Sequence, residues 1–260
     1  MVQKDSKKES YRIVNFLIRA KPGNTMSLKT SFLKPFRFRH TVILGRTRSG
    51  KTVFASKVIE GLQERGVHSI FIDPKHDQGF AHLGTVCYTP MEVYEQLLLK
   101  NNAIVFRPPS TIEERIESLN RLVELLFSLQ RRPGFKRVRR LVTIDEIQLF
   151  AKKGNSNAIE TIWTIGAGLG IVGMALTQRI QLLNETAWSQ SENKVIFSID
   201  DRKEYLKSRN LEHYIKQKDF FDDPMNKYWF YYTSGAGKWK KHKPVRLHKP
   251  KNWSRLTLNR

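Results

Sequence analysis

The sequence predicts an α/β domain with a mainly parallel sheet that is flanked by helices. Short apolar runs alternate along the chain with segments of helical periodicity, and such alternation is typical of parallel sheets. A glycine-bracketed loop follows the first apolar run and leads directly into a helical segment. A later apolar run ends in two adjacent acids, Asp145 and Glu146. In a sheet of this kind, ligands bind beyond the carboxyl ends of the strands.

The first strand and the loop after it form a Walker A phosphate-loop pattern. Glycines at both ends of the loop let its backbone N–H groups converge on phosphate oxygens. Lys51 is predicted to reach the β and γ phosphates and Thr52 to offer its hydroxyl to Mg²⁺, at the positive end of the next helix. A chance glycine-rich turn is the alternative. The predicted nucleotide-binding residues are Gly45, Arg46, Thr47, Arg48, Ser49, Gly50, Lys51, Thr52 and Val53.

The apolar run Leu141-Val-Thr-Ile ends in a Walker B pattern. Asp145 is placed to hold the water shell of Mg²⁺ opposite Thr52, and Glu146 is placed to take a proton from the attacking water. Two adjacent acids can instead cap a helix, and the pattern is weak on its own. Its specificity comes from its combination with the phosphate loop upstream.

Polar residues also follow two other predicted strands. Asp73, Lys75 and His76 are expected on the nucleotide side of the sheet, with His76 interpreted as a solvated loop histidine rather than a catalytic one. The strand from residue 171 to 177 leads into Gln178 and Arg179. Gln178 could position the attacking water or sense loss of phosphate, and Arg179 could act as an arginine finger on a neighbouring subunit's nucleotide. Alternatively, both are ordinary loop residues.

The net charge of +22 and the isoelectric point near 10.2 predict a polyanionic partner, although a merely basic surface is the simpler alternative. Three regions are predicted: a basic arm over 1–40, the nucleotide-binding domain over 41–235 and a basic tail over 236–260. An edge strand is possible within the arm at 13–18. The tail interleaves basic residues with tryptophans, which suits either nucleic-acid contact or an unfolded solvated segment.

Several further segments frame the predicted core. Ser110 and Glu113 are expected to form a capping box for the long helix that follows. Six of the ten residues from 131 to 140 are basic, and this run is expected at the sheet edge opposite the nucleotide, as a solvated face rather than a specific DNA contact. Residues 228–237 predict a terminal β-hairpin. The polar loop after Phe150 contains Lys152 and Lys153 and is expected on the nucleotide side of the sheet.

Composition excludes some classes of protein. The single cysteine, Cys87, rules out an internal disulfide and a multi-cysteine zinc site. No run approaches 18 consecutive apolar residues, and the first residues have no signal-peptide hydrophobic region, so we expect a soluble protein without a membrane span.

Four motifs, taken together over about residues 40–235, resemble the FtsK/HerA superfamily of DNA-pumping ATPases. They are Gly45-Arg-Thr-Arg-Ser-Gly-Lys-Thr52, Ile72-Asp-Pro-Lys75, Leu141-Val-Thr-Ile-Asp-Glu146 and Ala175-Leu-Thr-Gln-Arg179. Within that superfamily, the size of the chain and its lack of a membrane span make it most similar to the genome-packaging ATPases of icosahedral, internal-membrane double-stranded DNA viruses.

The resemblance implies a RecA-like (ASCE) P-loop NTPase core that uses ATP and Mg²⁺. It also implies a homo-oligomeric ring, usually a hexamer, with ATP sites between subunits and double-stranded DNA in the pore. Capsid-vertex or other viral proteins would be partners, and the location would be host cytoplasm or virion. Within this resemblance, the roles given above apply to Lys51, Thr52, Asp145, Glu146 and Gln178. Lys152 and Lys153 are the predicted pore-loop residues.

Many related ATPases carry an arginine before the fourth strand, where this chain reads Gly166-Ala-Gly-Leu-Gly170. Arg179, Arg46 and Arg48 are therefore the candidates for the arginine that acts on a neighbouring subunit. Two other functions stay open: a conjugation or plasmid-mobilisation ATPase, and a non-hydrolytic DNA-binding switch. A phosphate-loop kinase is less favoured because Glu146 directly follows Asp145, which suits water as the acceptor.

Overall fold

The computed structural model describes residues 28–151, 157–235 and 237–245, which form a nine-stranded sheet with helices on both faces. The strands are β1 (Thr41–Leu44), β2 (His68–Ile72), β3 (Thr85–Cys87), β4 (Ala103–Phe106), β5 (Arg140–Ile144), β6 (Ile171–Thr177), β7 (Asn193–Ile196), β8 (Phe230–Ser234) and β9 (Lys240–His242).

The α-helices are α1 (Thr30–Phe38), α2 (Lys51–Gln63), α3 (Pro90–Leu98), α4 (Ile112–Gln130), α5 (Asn157–Ile165), α6 (Glu185–Ser189), α7 (Lys203–Lys207), α8 (Glu212–Ile215) and α9 (Lys218–Asp222). Short 3-10 helices cover Gln78–Leu83, Ile147–Phe150, Gly166–Leu169, Ile180–Leu182 and Pro224–Asn226. No helix among the described residues is long and apolar enough to cross a membrane.

The strand order is β3-β4-β2-β5-β6-β1-β7-β8-β9. All pairs from β3 to β7 are parallel, whereas β8 and β9 add an antiparallel hairpin at one side. The carboxyl ends of the seven parallel strands therefore lie along one edge of the sheet, which we call the nucleotide edge. The segments that enter these strands lie along the opposite edge.

The core has two layers because successive strand residues point to opposite faces of the sheet. Val42 and Leu44 of β1 belong to the same apolar cluster as Ile162 of α5. Ile43, between them, belongs to the other cluster with Phe54 of α2. The central strands β1, β5 and β6 are buried on both faces, as expected for a parallel sheet covered by helices.

The structure confirms the α/β class, the mainly parallel sheet and the terminal hairpin. It also adds β3 and α3, which the sequence did not predict. The predicted capping residue Ser110 is wrong, because the helix begins at Ile112 and its N-cap residue is Thr111. The Thr111 hydroxyl donates to the Glu114 carboxylate at 2.6 Å and makes no capping hydrogen bond to the backbone, and the Ser110 carbonyl accepts a hydrogen bond from Arg115. Ser and Thr both serve as capping residues, with Ser preferred, so the sequence pattern favoured Ser110 over the adjacent Thr111.

The packed structure continues past both ends of the predicted 41–235 range. Leu33 and Phe36 of α1 are buried against α2, and β9 extends the sheet after residue 235. The apolar face of α1 therefore belongs to the core although its segment is basic. The strand predicted at 13–18, Lys152, Lys153 and the tail from residue 246 lie outside the described residues.

A histidine is buried at the entrance of β1. The His40 Nδ1 accepts a hydrogen bond from the Gly173 N–H at 2.8 Å, and its ring stacks on Trp163 with centroids 5.5 Å apart. Burial lowers the pKa of His40 to about 4. The neutral ring is therefore the form that the fold accommodates.

We expect the free energy of unfolding to fall as the pH falls from about 6.5 to 4, because the unfolded chain binds the His40 proton first. The contribution of this residue is at most about 3 kcal/mol. His40→Asn keeps an acceptor oxygen for Gly173 but cannot titrate. Urea unfolding of both proteins across this pH window should give a difference that shrinks towards low pH, and a constant difference would contradict the assignment.

Candidate nucleotide-binding site

The phosphate loop lies between β1 and α2, and its shape depends on its two glycines. Gly50 has a φ of 98°, in the region that favours glycine. A Cβ on Gly45 would lie 2.3 Å from the Ser49 hydroxyl oxygen and 3.0 Å from the Phe197 Cβ. The loop therefore has no space for a side chain at its first position.

Lys51 and Thr52 open α2, as predicted. The Lys51 side chain is buried, and burial lowers its pKa, whereas the nearby carboxyls of Glu146 and Asp145 act in the opposite direction. A buried lysine that faces two acids is placed to neutralise the charge of a bound phosphate.

Asp145, at the end of β5, has the features of a magnesium ligand. Only 3% of the residue is exposed, and its Oδ1 has no hydrogen-bond partner among the described residues. Burial raises the pKa of this carboxyl to about 6. An unpaired buried carboxylate oxygen is costly, and a cation would relieve that cost. Asp145 and the Thr52 hydroxyl therefore fit Mg²⁺.

The described residues contain no group of three or more His, Cys, Asp or Glu side chains that could hold a metal ion by themselves. Magnesium is commonly held by one or two protein oxygens together with substrate phosphates. The donor set found here therefore fits an ion that arrives with the nucleotide.

Glu146 is held by three donors. The Lys75 Nζ lies 2.5 Å from its Oε1, which also accepts a hydrogen bond from Gln178, and the Gln148 Nε2 lies 2.6 Å from its Oε2. Burial pushes the pKa of Glu146 up, but these donors outweigh burial and the net shift is downward. Its side chain is 2% exposed and its backbone adopts a left-handed conformation with a φ of 47°. The carboxylate is thus fixed and ionised.

The contacts of Glu146 extend to the phosphate loop. The Thr47 hydroxyl donates to the Gln178 Oε1 at 2.8 Å, and the Thr177 hydroxyl donates to the Gln148 Oε1 at 2.8 Å. Together these side chains connect the ends of four neighbouring strands, β2, β5, β6 and β1. We call this set of residues the glutamate network, and its members are Thr47, Lys75, Glu146, Gln148, Thr177 and Gln178.

A cavity of about 510 Å³ opens beside this network. Its lining includes most of the predicted site: Thr47, Arg48, Gly50, Lys51, Thr52, Val53, Asp145, Glu146 and Gln178. Lys75 lines it too. Gly45, Arg46 and Ser49 belong to the loop but lie outside this lining, and Arg179 lines a neighbouring cavity with Arg46.

Two of the polar residues that follow β2 have partners outside the glutamate network. Asp73 is fully buried and pairs with Arg107 at 3.3 Å, an ion pair that the sequence did not predict. His76 is exposed, and its Nε2 lies 2.8 Å from the Pro108 carbonyl, as fits a loop residue. Sequence analysis also assigned no role to Lys75 or Gln148. The sequence does offer a clue to the importance of Lys75, because this residue ends the Asp-Pro-Lys motif.

The phosphate loop, the acid pair at the end of β5 and the parallel sheet define a P-loop NTPase fold of the RecA-like type. Neither the comparison with protein-family models nor that with curated protein sequences finds a match. Solved structures do match, and they confirm the resemblance at the level of the fold.

Among the solved structures, the genome packaging NTPase B204 from Sulfolobus turreted icosahedral virus 2, in complex with ATP-gammaS, has a TM-score of 0.67 and 15% identity, over 80% of this chain and 98% of that chain. B204, the DNA-packaging ATPase from Sulfolobus turreted icosahedral virus, has a TM-score of 0.65 and 17% identity over 80% and 98%. The pCW3 conjugation coupling protein TcpA has a TM-score of 0.53 and 16% identity over 82% and 61%.

We expect Gly45→Ala to weaken nucleotide binding at least about fivefold, because overpacking of this size costs about 1–3 kcal/mol. Isothermal titration with an ATP analogue would measure the loss. The double variant Gly45→Ala/Ser49→Gly removes the shortest contact but keeps the one with Phe197, so it should restore part of the affinity. Wild-type affinity in the single variant would contradict the steric argument.

Proposed function

We propose that this protein is an ATPase that drives translocation of double-stranded DNA, as a viral genome-packaging motor. The observation that supports this best is the glutamate network, since it connects the predicted water-activating residue Glu146 to the phosphate loop through Gln178 and Thr47. The fold likeness to B204 and the net charge of +22 support the choice of DNA as the track.

In the proposed reaction, Lys51 and the loop backbone bind the β and γ phosphates. Mg²⁺, held by Asp145 and Thr52, would neutralise charge on the phosphates. Glu146 accepts the proton of the attacking water. As the structure stands, both carboxylate oxygens of Glu146 accept hydrogen bonds from protein donors. Three of the about four acceptor positions of the carboxylate are therefore occupied, and release of one donor would leave Glu146 freer to bind the water.

Lys75 is the donor best placed to give way. Its side chain is 48% exposed, and it lines the same cavity as Lys51 and Thr52. The terminal phosphate of ATP carries negative charge that would compete with Glu146 for this ammonium group. Loss of that phosphate on hydrolysis would return Lys75 to Glu146.

The motor is proposed to act as a homo-oligomeric ring, with a hexamer as the expected form, docked to a capsid vertex or another viral protein in host cytoplasm or virion. Arg179 is exposed beside the nucleotide cavity, whereas Arg46 pairs with Asp200 at 3.3 Å. Arg179 is therefore the preferred arginine finger. A conjugation ATPase is the second candidate, because TcpA has the same fold.

We expect long duplex DNA to stimulate ATP hydrolysis by the wild-type protein, and Glu146→Gln to lower the turnover about 10²–10⁴-fold. The variant should still bind ATP, because the phosphate loop is unchanged, whereas Lys51→Ala should lose binding. Phosphate release with and without duplex measures the stimulation by DNA and the loss of turnover in Glu146→Gln. Turnover near zero in the wild type would favour the nucleotide switch, and full turnover in Glu146→Gln would refute the role of that residue.

We expect Lys75→Met to weaken binding of ATP about tenfold or more with little effect on ADP, because only ATP has the phosphate that Lys75 would contact. Lys75→Arg, which keeps the charge, should retain most of the preference for ATP. Fluorescence titrations with labelled ATP and ADP analogues would test this. An equal loss for both nucleotides would indicate a purely structural role.

If Arg179 acts on a neighbouring subunit's nucleotide, Arg179→Ala and Glu146→Gln should each be nearly inactive alone and should regain activity when mixed. Mixed rings contain sites where an intact Glu146 meets an intact Arg179 from the next subunit. ATP hydrolysis at varied mixing ratios would measure the gain. Wild-type turnover in Arg179→Ala alone would exclude this residue as the finger.

A further inference from the structure

We propose that the sheet edge opposite the nucleotide site binds the phosphate backbone of double-stranded DNA. This surface, which we call the basic edge, consists of residues 36–40, 131–139 and 166–170. The inference rests on the proposed function only for the choice of duplex DNA as the polyanion. It adds a DNA-binding region at the edge away from ATP, besides the predicted pore loop with Lys152 and Lys153.

The topology brings these three segments together. They lead into β1, β5 and β6, which are neighbours in the sheet, so their entry ends lie side by side. The guanidinium groups of Arg37 and Arg139 lie 5.4 and 5.2 Å from the centroid of the Phe38 ring. The Arg140 N–H donates to the Gly170 carbonyl at 2.9 Å. Segments distant in sequence therefore form one continuous surface.

The basic edge carries an unbalanced charge. Its residues include seven Arg or Lys and no Asp or Glu. They are Arg37, Arg39, Arg131, Arg132, Lys136, Arg137 and Arg139. Arg39 pairs with Glu192 at 3.1 Å, and the other six form no ion pair with any described carboxylate. Such a cluster repels itself, and a bound polyanion would offset that repulsion.

Charges at the nucleotide edge are arranged differently. There Lys75 pairs with Glu146, Arg107 with Asp73 and Arg46 with Asp200. These three cations have carboxylate partners, whereas six of the seven cations of the basic edge have none among the described residues. A strand of four to seven residues separates the two edges by about 13–23 Å, so DNA on the basic edge would not contact the bound nucleotide.

The chemistry of the surface favours duplex backbone over single strands. Six of the seven cations are arginines, whose planar groups can pair with phosphate oxygens in a bidentate manner. Non-specific single-strand binding uses aromatic rings on which bases stack. Phe38 is 43% exposed, but two guanidinium groups already lie over its ring. The backbone is open at Gly134 and Gly168, where nothing lies within 4 Å of a side-chain position.

The test compares two variants with the same loss of charge. Arg131→Gln/Lys136→Gln/Arg137→Gln removes three exposed cations of the basic edge. The control, Lys203→Gln/Lys207→Gln/Lys216→Gln, removes three exposed cations from α7 and the end of α8. Fluorescence anisotropy with a labelled duplex over a series of salt concentrations gives the affinity and its salt dependence. ATP hydrolysis without DNA should be equal in both variants and the wild type, as a check of folding.

We expect the basic-edge variant to lose at least about tenfold more affinity than the control, and its slope of log K against log salt to fall by about 2 to 3, since each phosphate contact contributes roughly 0.9. The loss should be the same with ADP and with a non-hydrolysable ATP analogue. Equal losses in the two variants would overturn the proposal.

Two other outcomes separate this proposal from the proposed function. If duplex stimulates hydrolysis in the wild type and the basic-edge variant binds like the control, only the basic-edge inference fails. If the wild type binds no duplex at low salt, both fail together. If the basic-edge variant keeps its affinity for duplex but loses binding of polyglutamate, the surface fits an acidic protein instead and the DNA proposal is overturned.

Discussion

The glutamate network is the arrangement on which the rest of the site depends. Burial of the Glu146 carboxylate, whose side chain is 2% exposed, raises its pKa, and the donors Lys75, Gln178 and Gln148 together outweigh that effect. Those donors come from the ends of three neighbouring parallel strands, and Thr47 adds the phosphate loop. A nucleotide in the cavity would thus change contacts that reach across half of the parallel sheet. In the proposed motor, this connection would transmit the change at the nucleotide to other parts of the protein.

The two edges of the sheet differ in how their charged side chains are paired. At the nucleotide edge Glu146 pairs with Lys75 and Asp73 with Arg107, so these two carboxylates are held in place before ATP binds. At the basic edge the cations have almost no acidic partners among the described residues. In the proposed motor, DNA would bind at the basic edge and ATP would be hydrolysed at the nucleotide edge. DNA phosphates and ATP phosphates would then not compete for the same lysines and arginines.

Local motifs made much of the site predictable. The phosphate loop, Asp145 and Gln178 were found because each lies directly after an apolar strand, and that position places it at the nucleotide edge. The contact of Lys75 with Glu146 requires β2 to lie beside β5 in the sheet. The order of strands in the sheet could not be predicted from the sequence, so this contact could not be predicted either. β3 escaped prediction because it has only three residues. Leu33 and Phe36 were assigned to a basic arm because the charge around them hid the apolar face of α1.

Displacement of a triplex-forming strand from duplex DNA would test the central claim most directly, because it detects movement along the track rather than binding or hydrolysis alone. The account predicts displacement by the wild-type protein that requires ATP, is absent with ADP and is delayed in proportion to the distance between the loading end and the triplex. DNA-stimulated hydrolysis without any displacement, or displacement that needs no ATP, would contradict it.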